Sequence, residues 1–375
     1  MRLPSLSQPV SRPRSVCLAR VGLALGLVML ACRPGSASAQ AEGPQAPDDS
    51  LVEITRDVAF GASPTSPLTL NVYRPKAKSF GVPAVVLVHG GSWSQGDPNM
   101  MDTQGKLLAQ QGWVGFSIAY RLAVRDTPTW PGNVDDVKTA VRWVADHARD
   151  YGSDPTRLAL LGESAGGHLA ALVGATGFGM DPSSLPDPSK APRIRVVATF
   201  SAPLALDQLV PVNGEAPPSC GGDEPCKAFW RLPLVPGMLG CGPNQCPATY
   251  LAASPASQVT RTTPPMFLAN ATDEIVPMDQ LDRMKRALTD NNVNVQTKAV
   301  EGSKHGNEYT SRVWNEMVPF MADSLGVPTP QPIMFAEERE LKDYLLLIFI
   351  GMFAIGLLFV FILAAVRGRW DEPGA

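Results

Sequence analysis

Residues that could do chemistry together are few in this chain of 375. Histidine occurs only four times, at 89, 147, 168 and 305. Ser164 sits in Gly162-Glu163-Ser164-Ala165-Gly166, where the apolar run "LALL" gives way to the small-residue run "AGGHLAALVG". A strand-to-helix turn of this kind, with glycine on both sides, can expose a serine hydroxyl at the top of a sheet. A hydroxyl is a poor nucleophile at neutral pH. It needs a base within hydrogen-bond reach, and the base needs a carboxylate to hold its tautomer. His305 in "GSKHGNEY" is the expected base, just past a predicted strand. His168, four residues beyond Ser164 on the same helix, competes with it and otherwise lines or packs beneath the site. His147 reads as a solvated helix residue.

The carboxylate is expected at the end of an earlier strand. Asp273 in "LANATDEIVP" is the first acid after the apolar segment, with Glu274 beside it as the alternative. The order is then Ser164, Asp273, His305. The remaining histidine, His89, opens "HGGSW" at another strand end. Backbone N–H groups of Gly90 and Gly91, with that of Ala165, are positioned to bind a developing oxyanion. Losing one such donor typically costs about 10²–10³-fold in rate.

These residues need a scaffold, and the rest of the chain supplies one. "PLTLNVYRP" alternates like a half-buried strand, "PAVVLVHGG" is a short, almost wholly apolar strand, and "GWVGFSIAY" and "IRVVATFSA" read as further strands. "NVDDVKTAVRWVADHARDYG" puts Val134, Val137, Val141, Val144 and Ala148 on one helical stripe. Asp135 and Asp136 fall in its first turn, at the positive end of the helix dipole. Further on, the strand "PPMFLANA", the helix "MDQLDRMKRALTDN", the strand "VQTKAV" and the helix "SRVWNEMVPFMADSL" continue the alternation. This predicts an α/β domain over residues 51–327, a mostly parallel sheet with helices on both faces.

Residues 205–255 break the rhythm with proline, glycine and four cysteines, and read as a cap-like insertion. Cys220, Cys226, Cys241 and Cys246 form an even set, expected as two disulfides with three possible connectivities. Their spacing lacks the paired two-residue gaps of a four-cysteine zinc site, so no metal is expected. Trp93, Phe229 and Trp230 are candidate walls of an acyl pocket; the plain alternative is a stapled loop burying its own aromatics.

Composition excludes little else. Hydrophobic residues make up 45% and charged residues 18%, enough apolar material for a full-sized core, and the net charge of −3 recommends no nucleic-acid partner. The ends concern membranes. Residues 1–39 carry arginines, the apolar run Val21 to Ala31 and Ala37-Ser38-Ala39, the pattern of a cleaved export signal; lipidation at Cys32 is the competing reading. Residues 40–50 read as a flexible lead-in and 328–343 as a linker. Tyr344 to Val366 is uncharged over 23 residues, spanning about 34 Å as a helix, enough to cross a bilayer core of about 30 Å. Arg367 and Arg369 in the tail 367–375 favour a cytoplasmic C-terminus, with the domain on the exported side.

"HGGSW", "DVKTAVRWV", "YGSDPTRLALLGESAGGHLAAL", "DEIVP" and "GSKHG" together resemble the α/β-hydrolase fold. The likeness is to the hormone-sensitive-lipase-like carboxylesterases and their feruloyl-esterase-like (BD-FAE type) bacterial branch, and it covers Leu51 to Leu325. It implies ester hydrolysis through an acyl-enzyme on Ser164, with Asp273 and His305 completing the triad, Gly90, Gly91 and Ala165 as the oxyanion hole, and no cofactor. Two features depart from the family pattern: "LANATD" stands where many relatives carry a His-Gly pair, and the cysteine-rich insertion and apolar tail are not usual. The expected partners are a small-molecule ester and, through 344–366, the lipid bilayer. An arylformamidase-like amidase and a non-catalytic adhesion module are the alternative functions.

Overall fold

A computed structural model of the chain describes residues 47–64, 67–123, 127–177, 192–209, 234–335 and 352. All of them lie in the compact unit Pro44–Ala375. In chain order the main elements are β1 (Val52–Ala62), β2 (Pro67–Pro75), β3 (Val82–Val88), α1 (Asp102–Gln110), β4 (Val114–Ile118), α2 (Gly132–His147), β5 (Ser153–Glu163) and α3 (Ser164–Thr176). There follow β6 (Ile194–Phe200), α4 (Leu206–Leu209), α5 (Leu234–Leu239), α6 (Pro247–Ala253), β7 (Met266–Ala271), α7 (Met278–Asp290), β8 (Val295–Val300) and α8 (Thr310–Leu325).

The strands form one sheet in the order β1-β2-β4-β3-β5-β6-β7-β8. β1, β2 and β4 pair antiparallel, and every pairing from β4 to β8 is parallel. The central strands β3, β4 and β7 are buried almost throughout because both faces of the sheet are covered. On β3, Ala84, Val86 and Val88 pack towards α2, α3 and α7, while Val85 and Leu87 pack towards α1 and α8. The stripe on α2 meets the first of these cores: Val134, Val137, Val141 and Val144 are all buried. Asp135 stays in the first turn, but Asp136 turns inward and pairs with Arg121, Oδ1 to Nη2 at 2.6 Å.

One expectation about the domain's limits changes. The predicted linker does not begin at 328. After the left-handed Gly326 the chain doubles back, and Ile333 and Phe335 are buried in the core shared with Trp314 and Met317. Asn315 fixes this strap by accepting the Ile333 N–H at 3.0 Å and donating to the Ile333 carbonyl at 2.8 Å. The physical reason is local: two apolar side chains alternate in "PIMF", and an asparagine on α8 satisfies the backbone between them. Among the described residues no helix is long and apolar enough to cross a membrane. The expected span 344–366 lies outside them except for Met352, as do the export signal 1–39, the residues 40–46 of the lead-in and the tail 367–375.

In the insertion, Cys241 and Cys246 form a disulfide with Cα atoms 6.2 Å apart. Cys220 and Cys226 lie outside the described residues, as do Phe229 and Trp230.

Candidate active site

β5 runs directly into α3 with no intervening loop, so the backbone reverses at Ser164, which takes a left-handed φ of 50°. A non-glycine residue there is strained by about 1–3 kcal/mol, and the surrounding packing must impose it. Gly162 and Gly166 make the turn possible: a Cβ on Gly162 would overlap the Gly166 carbonyl, and one on Gly166 would overlap the carbonyls of Val88 and His89. The elbow is therefore wedged against the end of β3. This is a packing demand on the two glycines, independent of their φ.

The hydroxyl so presented meets a base. His305 Nε2 lies 2.9 Å from Ser164 Oγ. The histidine sits past the end of β8 in a loop held by a reciprocal cap, in which Glu308 accepts the His305 N–H at 2.8 Å. Its Nδ1 faces the Glu274 carboxylate, Oε2, in a close hydrogen-bonded contact.

The acid at the imidazole is thus Glu274 and not Asp273. β7 ends at Ala271, and the turn that follows directs successive side chains in opposite directions. Asp273 is exposed, tied to Thr272 Oγ1 at 2.9 Å, with its N–H on the Gly302 carbonyl. Glu274 folds back under the strand end and its side chain is wholly buried. Its Oε1 accepts the Ala271 N–H at 2.8 Å and the Ser201 hydroxyl at 2.7 Å, leaving Oε2 for His305. Choosing the first acid after the strand fails because the turn spends one residue facing solvent.

Ser201 and Tyr309 were not foreseen. Ser201, at the end of β6, has a φ of 51° and takes the Gly306 N–H at 2.8 Å while sharing a hydrogen bond with Tyr309 Oη at 2.8 Å. It therefore links the carboxylate to the histidine loop. Nothing in "FSAP" marks this role, because it depends on three elements meeting.

The "HGG" loop follows β3 and lies against the elbow. A Cβ on Gly90 would stand 3.2 Å from Ser164 Cβ, and Gly91 has a φ of 109°. His89 points away from the site: it is buried, its Nδ1 donates to the Gly90 carbonyl at 2.7 Å, and it stacks on Tyr120. Burial pushes its pKa down to about 4, so it is neutral.

Trp93 is not a pocket wall. It is 4% exposed and its indole N–H donates to His168 Nδ1 at 3.1 Å. His168 in turn donates from Nε2 to the Ala253 carbonyl at 2.7 Å. With both ring nitrogens engaged and burial holding its pKa at about 4, His168 is a neutral strut beneath the site, out of the competition for base. It joins the "HGGSW" loop to the last turn of α6 in the insertion. His147 bonds back to the Trp143 carbonyl on its own helix. Among the described residues no cluster of His, Cys, Asp or Glu could hold a metal ion.

The chain matches the BD-FAE family model over residues 70–288, more than half its length. It is 30% identical over 202 residues to the probable carboxylic ester hydrolase LipM of Mycobacterium tuberculosis, covering 53% of this chain and 43% of that protein. Against esterase LipQ of the same organism it is 28% identical over 280 residues, covering 73% and 62%. The alignments thus span about two fifths to three fifths of these curated relatives. A truncated carbohydrate esterase from gut microbiota superposes with a TM-score of 0.61 at 19% identity, over 76% of this chain and all of that one. Esterase B of Lactobacillus rhamnosis HN001 gives 0.59 at 21%, over 75% and 88%. At these identities the structural likeness establishes the α/β-hydrolase fold.

Proposed function

Since the chain belongs to the BD-FAE family, we propose that it is a serine carboxylesterase working through an acyl-enzyme on Ser164. The observation that carries this reading is the unbroken line from Ser164 Oγ through both nitrogens of His305 to the buried Glu274. Ser164 Oγ attacks the ester carbonyl carbon while His305 Nε2 takes its proton. The Glu274 carboxylate holds Nδ1–H and stabilises the imidazolium. Backbone N–H groups of Gly91 and of Ala165, at the start of α3, are the donors assigned to the developing oxyanion, the Gly90 amide being directed to the Glu163 carboxyl instead, and the helix end adds its own positive potential. The tetrahedral intermediate collapses, the leaving alcohol takes the proton from His305, and water repeats the cycle to release the acid.

Export and membrane attachment belong to the same proposal. The signal-like residues 1–39 and the uncharged stretch 344–366 support a domain outside the cytoplasm, tethered by its tail. The Cys241–Cys246 disulfide is consistent with an oxidising compartment. Activity that sediments with membranes, resists alkaline extraction and is released by removing residues after Phe335 is the expected result.

For the chemistry, hydrolysis of p-nitrophenyl acetate, butyrate and octanoate by the full-length protein is compared with Ser164→Ala. The variant is expected to retain less than about one part in 10⁴ of the rate. A folded wild-type protein no faster than the variant on every ester would sink the esterase reading.

A further inference from the structure

We infer that Glu163, the residue before the nucleophile, is a positioning residue that clamps the oxyanion loop to the histidine loop through its carboxylate, and that its charge supports the imidazolium on His305. The inference rests on the triad proposed above.

Glu163 is the last residue of β5 and only 4% exposed. Its carboxylate lies in a slot between two glycines that belong to different loops. A Cβ on Gly90 would come within 3.5 Å of Oε1, and a Cβ on Gly306 within 3.2 Å of Oε2. Gly306 also has a φ of 60°, which favours glycine there twice over. The amides of Gly90 and Asn307 both pull the carboxyl towards its ionised form. Neither closes a full hydrogen bond on Oε2, which is buried with no hydrogen-bond partner among the described residues. A buried, half-satisfied carboxylate is costly, and nothing in the Ser164–His305–Glu274 line uses it. What it does is touch, at once, the loop that would bind the oxyanion and the loop that carries the base.

The groups facing it define its electrostatics. Beyond the end of β4 lies Tyr120, whose hydroxyl burial keeps protonated and which donates to the His89 carbonyl at 3.0 Å. Below the histidine loop lies Tyr309, also held neutral, and beyond His305 lies Glu274. His305 is the facing group whose charge the reaction itself changes, and its positive form draws the Glu163 carboxyl down. By reciprocity an ionised Glu163 favours the imidazolium. Burial is the larger influence and raises the Glu163 pKa to about 7. The supporting charge is therefore switched on as pH rises through neutrality.

The test is the pH profile of kcat/KM for p-nitrophenyl butyrate from pH 5.5 to 8.5, followed at the isosbestic wavelength, for the full-length wild type and Glu163→Gln. The wild type should outrun the variant by about 10-fold at pH 8.5, the effect of one pKa unit of coupling, with the ratio falling towards one at pH 5.5, where Glu163 already carries its proton. Glu163→Asp, which keeps the charge, should recover part of the alkaline rate. A merely structural role predicts a loss that does not change with pH, and a flat ratio overturns the inference. If Glu163→Gln fails to fold, the wild-type acid limb decides: a slope above one supports two ionisations, and a slope of one overturns. Ser164→Ala runs alongside. Activity surviving in that variant would defeat the triad reading, whereas a dead Ser164→Ala with a flat Glu163 ratio would defeat only this inference.

Discussion

Replacing Glu274 by glutamine separates the two acids on the turn after β7 more sharply than truncation would. The carboxylate uses both oxygens as acceptors: Oε1 for the Ala271 N–H and the Ser201 hydroxyl, Oε2 for His305 Nδ1. An amide has one acceptor and one donor, so one side must fail. With the NH₂ towards His305, Nδ1 becomes the acceptor and Nε2 carries a hydrogen, pointing a donor at Ser164 Oγ where a base is required. With the NH₂ towards Ala271, two N–H donors meet in a buried site, at about 1–3 kcal/mol for the unsatisfied groups. The first arrangement keeps the fold and loses the base, and the wrong tautomer in such triads lowers kcat by about 10⁴-fold. Glu274→Gln should therefore hold its thermal midpoint within a few degrees while kcat on p-nitrophenyl butyrate falls by about 10³–10⁴-fold. Asp273→Asn, at an exposed residue bonded to Thr272, should change kcat less than about threefold. The assay is steady-state hydrolysis at pH 8 with thermal unfolding of each variant. If Asp273→Asn proves the more damaging substitution, the assignment of the acid by geometry is refuted.

Two further outcomes concern stability. Glu163 has a folded pKa near 7 against an ordinary 4.5, so folding takes up a proton and stability is lost as pH rises from about 4.5 through 7. That loss is about 3 kcal/mol. Glu163→Gln should then be more stable to heat than wild type at pH 8 and level with it near pH 4.5; a gain that is larger at low pH would contradict the burial argument. Asn315→Ala removes both hydrogen bonds that seat Ile333, at about 1–3 kcal/mol, and should expose the strap around Ile333 to proteolysis while esterase activity persists.

Much of this molecule is written in local pattern. The wholly apolar β3 and the four-valine stripe on α2 announce a sheet covered on both sides, because period and burial follow from backbone geometry alone. Glycine at 162 and 166 around Ser164, and a scarcity of histidine, narrowed the nucleophile and base to residues that do meet at 2.9 Å. The choice between Asp273 and Glu274 lay beyond such reasoning, since one turn residue more or less reverses which side chain enters the core. Trp93 was misjudged for a related reason. Its place beside the "HGG" motif suggested a pocket wall, but only the packed structure brings His168 beneath it to take its N–H and turn the ring inward. Ser201, Tyr309 and Glu163 owe their roles to contacts across strands and loops distant in sequence. Residue type and spacing therefore determined which chemistry this chain can attempt. Tertiary structure decided which carboxylate serves the histidine, because a buried charge is tolerated only where several separate donors converge on it.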